Sequence, residues 1–361
     1  MAQNELFKGL KVVEFASVLA GPAVGMFFAE LGAEVTKIEN KTTGGDVTRG
    51  WKLPEEDPAS PASAYFCSVN WGKQHLFLDL NDVNDRNAAI ELAMAADVII
   101  SNFKPSSAQR MQVDAGSLRA RNPRLIYAQL CSYSDPEDES PAFDAVLQAE
   151  AGFMYMTGEP DRPPVKMPVA LIDLLAAHQM KEAILIALLQ RERSGQGASI
   201  VVSLLESALA SLANQAANWL MAGHIPQRMG ARHPNIAPYG DTYLCADGQY
   251  ILLAVGTERQ FQQLCRCLSQ EQLLQNPDFQ TNAMRVKHRA ALNKTLEAIL
   301  RLKSLDNWMA LLKSAGVPAA RIRDMKAVFE LPAAQAMVLE EGLSGGKRSK
   351  RVKSIAFKIS L

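Results

Sequence analysis

The chain has 361 residues, 48% hydrophobic and 21% charged, with 38 Lys+Arg against 38 Asp+Glu and a formal net charge of zero. This composition excludes a disordered, collagen-like or coiled-coil chain, and the charge balance argues against a whole-surface grip on nucleic acid. The length suggests about two domains with a core large enough to need no covalent staples.

Residues 10–15 (LKVVEF) form a short apolar run suited to a buried parallel strand. Ala20-Gly21-Pro22 then breaks the strand, and Pro22 is well placed in the first turn of a helix over 23–31 that ends at Gly32. Residues 34–39 (EVTKIE) return as a second strand. Strand, glycine turn, helix and strand in this short space predict a doubly wound α/β start. The alternation continues with a strand over 76–80, a helix over 83–95, a strand over 97–101, one helix over 107–121 and a strand over 124–130. Residues 134–141 (SDPEDESP) read as a solvated acidic loop. An apolar helix over 179–190 is broken at 194–197 (SGQG), and 199–205 starts the next strand-to-helix passage.

Composition shifts after Gly223. Residues 224–239 are rich in Pro, Gly, Arg and His and read as a linker. Residues 241–254 read as a hairpin through Asp247-Gly248, and helices over 259–315 complete a smaller α+β domain. The chain resumes at Ile322 after Pro318, with a helix near 325–329 and a basic tail over 347–353.

Five cysteines, at 67, 131, 245, 265 and 267, are too few and too scattered for a disulfide framework, and Cys265-x-Cys267 lacks zinc-site spacing. Residues 1–8 are too polar for a signal peptide, and no apolar run approaches ~18 residues. The expectation is a soluble cytoplasmic protein with reduced cysteines, no metal, and neither nucleic acid nor membrane as a partner.

Known chemical motifs are sparse. Gly21 and Gly25 give G-x-x-x-G with Glu39 at a strand end, which fails the dinucleotide fingerprint where the backbone must approach a pyrophosphate. Gly21 is better explained by a tight turn and Gly25 by close helix–sheet packing. Residues 342–349 (GLSGGKRS) miss phosphate-loop spacing and read as an exposed turn. Neither G-x-S-x-G nor H-E-x-x-H occurs.

An ordered set of motifs does resemble a family. Leu19-Ala20-Gly21-Pro22, Leu31-Gly32-Ala33-Glu34-Val35 and Gly45-Asp46-Val47-Thr48-Arg49-Gly50 come first. Asn70-x-x-Lys73 before Leu78-Asp79-Leu80, Asn102-Phe103-x-Pro105, Asn122-Pro123-Arg124-Leu125-Ile126-Tyr127 and Ala142-Phe143-Asp144 follow. Asp173, Arg191-x-x-x-Gly195-x-Gly197, Tyr243-x-x-Ala246-Asp247-Gly248 and Gly316-Val317-Pro318 complete the series. From about residue 8 to 357 the chain resembles the class III CoA-transferases. That family includes the formyl-CoA:oxalate and carnitine enzymes and the α-methylacyl-CoA racemases.

The resemblance implies an interlocked homodimer of α/β chains. A Rossmann-like large domain (1–223, completed by 322–361) would be joined to a small α+β domain (224–321). It implies coenzyme A as carrier, an acyl-CoA and a small carboxylic acid as substrates, and Asp173 as nucleophile. Read from its neighbours alone, Asp173 stands just before a helix, where an aspartate is more often an N-cap than a nucleophile. It would react as a carboxylate already ionised at pH 7. Val18, Leu19 and Ala20 would line the start of the CoA site, and Asn70, Lys73, Asn102, Phe103 and Arg110 would hold its nucleotide and phosphates. A solvated surface charge is the other reading of Lys73 and Arg110, and a core role the other reading of Phe103.

Departures from the family pattern are specific. Asn40 stands where Arg or Lys is usual, leaving Lys41 or Arg49 as replacements, and Trp71 stands where many relatives have Arg. The Gly-aromatic-Gly loop is Ser132-Tyr133-Ser134, keeping Tyr133 as its aromatic. No glycine-rich loop is evident over 225–240, and the chain stops soon after Ile355. Racemases pair the aspartate with a histidine, but that position is Phe143, leaving His178, His224 or His233 as substitutes. Glu258 matches a racemase-like acid or a helix-start residue. CoA transfer is the first reading; racemization, or CoA binding without transfer, is the alternative.

Overall fold

A computed structural model gives the fold and describes residues 5–135, 138, 140, 142–343 and 346–359. Six strands form the main sheet: β1 (Lys11–Phe15), β2 (Glu34–Asn40), β3 (Lys73–Leu78), β4 (Val98–Ser101), β5 (Ile126–Cys131) and β6 (Ser199–Ser203). Their order is β3-β2-β1-β4-β5-β6, and every pairing is parallel. β4 is buried along its whole length and β1 from Val12 to Phe15, as a sheet covered on both faces requires. The chain winds outward from β1 to β3, then returns to lay β4 on the other side of β1. The crevice at the C-terminal ends of β1 and β4 is where such sheets take ligands.

The chain separates into two compact units. One comprises the residues up to Gly152, Met167–Asn214 and Pro332 onward; the other comprises Phe153–Lys166 and Gln215–Leu331. The excursion at 153–166 and the stretches 215–223 and 322–331, which the sequence boundaries assign to the large domain, group with the second unit. That unit holds the antiparallel strands β7 (Tyr239–Leu244), β8 (Tyr250–Ala254) and β9 (Ala319–Arg321). Its core gathers Ile251, Leu253, Phe261, Leu264, Leu296 and Trp308. β9 lies where no strand was expected; its three residues, Ala-Ala-Arg, carry no alternation to reveal it.

Differences from the sequence reading have local causes. The single helix expected over 107–121 is two, Pro105–Arg110 and Ala115–Arg121. Gln112 adopts φ +57°, and Asp114 caps the second helix by accepting from the Ser117 N–H at 3.0 Å. The apolar helix expected over 179–190 runs from Leu171 to Ser194 and stops at Gly195, whose φ of +71° suits a glycine C-cap. The basic tail is strand β11 (Arg348–Val352), paired antiparallel with β10 (Val338–Gly342). Within it Arg351 turns inward onto Glu30 at 2.5 Å, tying the returning segment to the helix Ala20–Glu30. The acidic loop over 134–141 and the turn over 342–349 fall partly outside the described residues, as do residues 1–4.

Glycine 25 faces β1, and a Cβ there would collide with the Glu14 carboxylate. That close approach belongs to a fully buried ion network. Glu14, in the middle of β1, holds Lys37 of β2 at 2.8 Å and Lys73 of β3 at 2.7 Å. Lys37 also reaches Asp46 at 3.1 Å and the Ala16 carbonyl at 2.5 Å. Lys73 donates further to the Pro22 carbonyl and to Asn70 Oδ1, each at 2.9 Å. Strand β3 therefore starts at a lysine, three residues before the apolar run at 76–80. Burial alone would force these groups neutral; the two ammonium groups instead hold the Glu14 carboxyl below its ordinary range. Removing one partner of a buried pair leaves a charge unmatched. Lys73→Met should lower unfolding free energy by about 3 kcal/mol in urea titrations at pH 7, and adding Glu14→Gln should recover part of that loss.

Candidate active site

The loops leaving β1, β2 and β4 are pinned to each other by side chains. Asn102, just after β4, accepts from the Ser17 N–H at 3.2 Å and donates to the Ser17 carbonyl at 3.0 Å. Val18 follows with φ +72°, a strained conformation for a β-branched residue. Its N–H points at the Asp46 carboxylate, 3.2 and 3.4 Å from the two oxygens. Asp46 also accepts from the Thr48 N–H at 3.0 Å and hydroxyl at 2.8 Å. Its own N–H donates to Glu39 at 2.8 Å.

A cavity of about 430 Å³ opens at the C-terminal ends of β1–β4. Ser17, Asn40, Asp46, Phe103 and Arg110 line it, and so does the continuous stretch from Leu78 to Asn81. Arg110 is exposed and makes no ion pair among the described residues. Phe103 serves both readings, lining the cavity while packing 5.8 Å from the Phe15 ring. Asn40 caps the turn at 41–43, accepting from the Thr42 N–H at 2.9 Å. The remaining cations are committed. Arg49 grips Glu39 through two bonds of 2.6 and 2.7 Å and stacks on Phe66, and Lys41 faces Asp85 at 3.5 Å. Neither is free to replace the family's usual cation at position 40.

Asn70 and Lys73 are corrected as nucleotide-holding candidates. Both are buried, and all three Lys73 donors are taken by Glu14, Pro22 and Asn70. From this strand it is Leu78–Asn81, just beyond them, that lines the cavity. The signal for it was the position of Leu-Asp-Leu at the C-terminal end of a parallel strand. Val18 is half-buried, Leu19 precedes the helix Ala20–Glu30 and Ala20 begins it; none of the three lines the cavity. Tyr133 lies elsewhere too, its hydroxyl donating to Glu150 at 2.9 Å.

Asp173 is not an N-cap and does not precede its helix. The helix begins at Leu171, so Asp173 sits in the first turn, and the N-cap residue is Ala170. Only 8% of it is exposed. Its pKa is pushed up to about 7, first by burial and then by the neighbouring Asp144 carboxyl. Among the described residues no donor reaches its oxygens. Burial and Asp144 thus work against the fully ionised carboxylate expected at pH 7. The Tyr65 phenol, pushed up to about 12 by burial and by Asp173, Asp144 and Asp46, shares this acidic neighbourhood. Sequence reasoning gave Tyr65, Asp46 and Asp144 no role, although the last two stand inside quoted motifs.

The racemase-type positions divide between the two units. Phe143 is 58% exposed and precedes the helix Asp144–Glu150. His178 follows Asp173 by five residues and so points to another side of the same helix. His233, in the second unit, accepts from the Asn235 N–H at 3.1 Å. Glu258 is held by Arg285 at 2.8 and 2.9 Å, while Thr257 and Gln260 form the capping box of its helix. Among the described residues no group of three or more His, Cys, Asp or Glu could hold a metal ion.

The raised pKa of Asp173 has a stability consequence. The folded state keeps its proton to about pH 7, whereas an unfolded aspartate loses it near 3.9, so this group destabilises the fold increasingly between those values and fully above them. Asp173→Asn should exceed the native protein in unfolding free energy by about 2–4 kcal/mol at pH 8, with the difference vanishing near pH 4. Paired urea titrations at the two pH values measure it.

The sequence pattern of CoA-transferase family III matches residues 7–360. The chain is 35% identical to a succinate–glutarate CoA-transferase of Agrobacterium fabrum, over 93% of this chain and 84% of that one. It is 34% identical to an acetyl-CoA:oxalate CoA-transferase of Acetobacter aceti, over 93% and 86%. A crystal structure of a CaiB/BaiF family protein from Brucella suis superposes with a TM-score of 0.82 at 37% identity, covering 98% of this chain and 92% of that one. A parallel sheet of this order, a match spanning nearly the whole sequence and close relatives of the same kind have one reading: the chain belongs to the class III CoA-transferases.

Proposed function

We propose that this protein moves CoA from an acyl-CoA to a free carboxylic acid, with Asp173 as covalent nucleophile. The observation that carries this reading is a buried first-turn carboxyl with no hydrogen-bond donor on it among the described residues, a carboxylate poorly solvated and therefore reactive. An Asp173 oxygen attacks the thioester carbonyl, and the electron pair of the broken C–S bond leaves on the CoA sulfur. The thiolate then attacks the aspartyl carbonyl of the resulting anhydride, releasing the donor acid and leaving an aspartyl-CoA thioester. The acceptor carboxylate attacks that thioester, forming a second anhydride and freeing the thiolate. Attack of the thiolate on the acceptor carbonyl yields the new acyl-CoA and restores Asp173.

Arg110 supplies an unpaired guanidinium for a CoA phosphate, and Asn40, Phe103 and the 78–81 wall flank it in a cavity of about 430 Å³. Relatives are named for succinate, glutarate, oxalate and mesaconate. The acceptor class they support is a short dicarboxylic acid. A racemase needs a second base on the opposite face of the α carbon. Phe143 has no proton to give and the Glu258 carboxyl is engaged by Arg285, so transfer is favoured. The working form we propose is a homodimer. Leu185, Ile186 and Leu189 leave an apolar strip exposed on the Leu171–Ser194 helix, a face expected to be covered. The reduced cysteines fit the cytoplasm.

With an acyl-CoA donor, borohydride or hydroxylamine should trap an adduct at Asp173, and Asp173→Ala should abolish both adduct and CoA exchange. CoA binding without an adduct would indicate a binding protein, and deuterium wash-in at the α carbon a racemase. Because only ionised Asp173 attacks, kcat/KM should rise through about pH 7. Arg110→Ala should raise KM for acyl-CoA about tenfold with kcat little changed. Native mass measurement should return twice the chain mass.

A further inference from the structure

We propose that Asp144 is a positioning residue for this reaction: its buried carboxylate fixes the first turn of the Leu171–Ser194 helix and, as a like charge beside Asp173, drives Asp173 toward its covalent, uncharged forms. The inference rests on reading Asp173 as the nucleophile.

Asp144 opens the helix Asp144–Glu150 and is 7% exposed. One oxygen accepts from the Ile172 N–H at 2.7 Å, the other from Gln148 Nε2 at 2.6 Å. Gln148, 1% exposed, accepts in turn from the Met167 N–H at 2.8 Å. A chain of bonds thus grips both ends of the 167–172 segment that delivers Asp173. Ile172 N–H is one of the donors a helix start leaves unmatched, and no side chain caps Ala170. Asp144 satisfies that donor from a neighbouring helix.

The same bonds distinguish the two carboxyls. Asp144 accepts from two donors, whereas Asp173 accepts from none among the described residues. A buried carboxyl without donors is the one that burial and a neighbouring carboxyl push up, as happens at Asp173. The Tyr65 phenol, with Asp46 beyond it, also feels this pair, and among the described residues no cation is found to offset the repulsion on Asp173. On acylation the Asp173 charge disappears into an anhydride while the electron pair departs on the CoA sulfur. The aspartyl thioester that follows is also uncharged at that position. Both covalent states escape repulsion that the free carboxylate feels, so Asp144 lowers them relative to the resting enzyme.

Three variants and one direct measurement test this. Asp144→Asn keeps an acceptor for Ile172 but removes the charge; the rising limb of kcat/KM should move to lower pH. Each unit of that movement should lower the equilibrium fraction of trapped adduct about tenfold. Gln148→Ala cuts one of the two bonds but keeps the charge and the Ile172 bond, so its limb should move less than that of Asp144→Asn even if kcat falls. In the unaltered enzyme, the infrared carboxylic-acid band that Asp173→Asn removes should titrate near pH 7. An unmoved limb in Asp144→Asn, or a band that titrates in the ordinary aspartate range, overturns the inference; the band needs no variant of Asp144 to fold. If no adduct is trapped in the unaltered enzyme, the covalent reading of Asp173 fails instead.

Discussion

A carboxylate buried in the central strand, matched by two ammonium groups from its neighbours, constrains this unit more than any single apolar contact. Glu14 stands opposite Lys37 in the β1–β2 pairing, and Lys73 opens β3 opposite Val35. Sliding either strand by one residue would send a lysine to the other face and leave Glu14 charged in a dry core. The network therefore selects the register of three strands. Its fourth member, Asp46, carries the constraint outward, because the same carboxylate that meets Lys37 also holds the backbone of Val18. An ion pair inside the sheet thus fixes the shape of a loop at its edge. The loop's unfavourable φ is held by that connection, with Asn102 gripping the residue before it.

Around Asp173 the logic is reversed. Glu14 is deeply buried and kept charged by two cations; Asp173 is buried beside another carboxyl with no cation to help it among the described residues. One environment spends its electrostatics on architecture, the other leaves a group unstable as an anion. Such instability is a liability for folding and an asset for a nucleophile that must gain a covalent partner and lose its charge. The long helix that carries Asp173 packs against Ala20–Glu30, whose far end Glu30 also anchors the returning hairpin through Arg351. The turn that carries Asp173 and the returning hairpin are therefore braced by the same helix.

Much of the fold was written in periodicity. The βαβ opening, the later strand–helix alternation, the hairpin at 247–248 and the helical run beyond it all follow from apolar runs bounded by Gly, Pro and Asp. The family register then singled out Asp173, Phe103 and Arg110. The sequence also marked Gly25 as a packing glycine, which the Glu14 carboxylate beside it explains.

Other features depended on partners distant in the chain. A hydrophobicity pattern cannot reveal that Lys73 is interior, since its burial is possible only because Glu14, 59 residues away, neutralises it. Lysine in a motif therefore read as a phosphate contact, and the cavity wall that begins five residues further on was missed. Nor could the sequence show that Arg49 is consumed by Glu39, or that the basic tail folds back with Arg351 inward. The identity of the candidate nucleophile was legible along the chain, but its protonation was not. That depends on how deeply Asp173 is buried and on Asp144 standing beside it, quantities that exist only once helices separated in sequence have packed together.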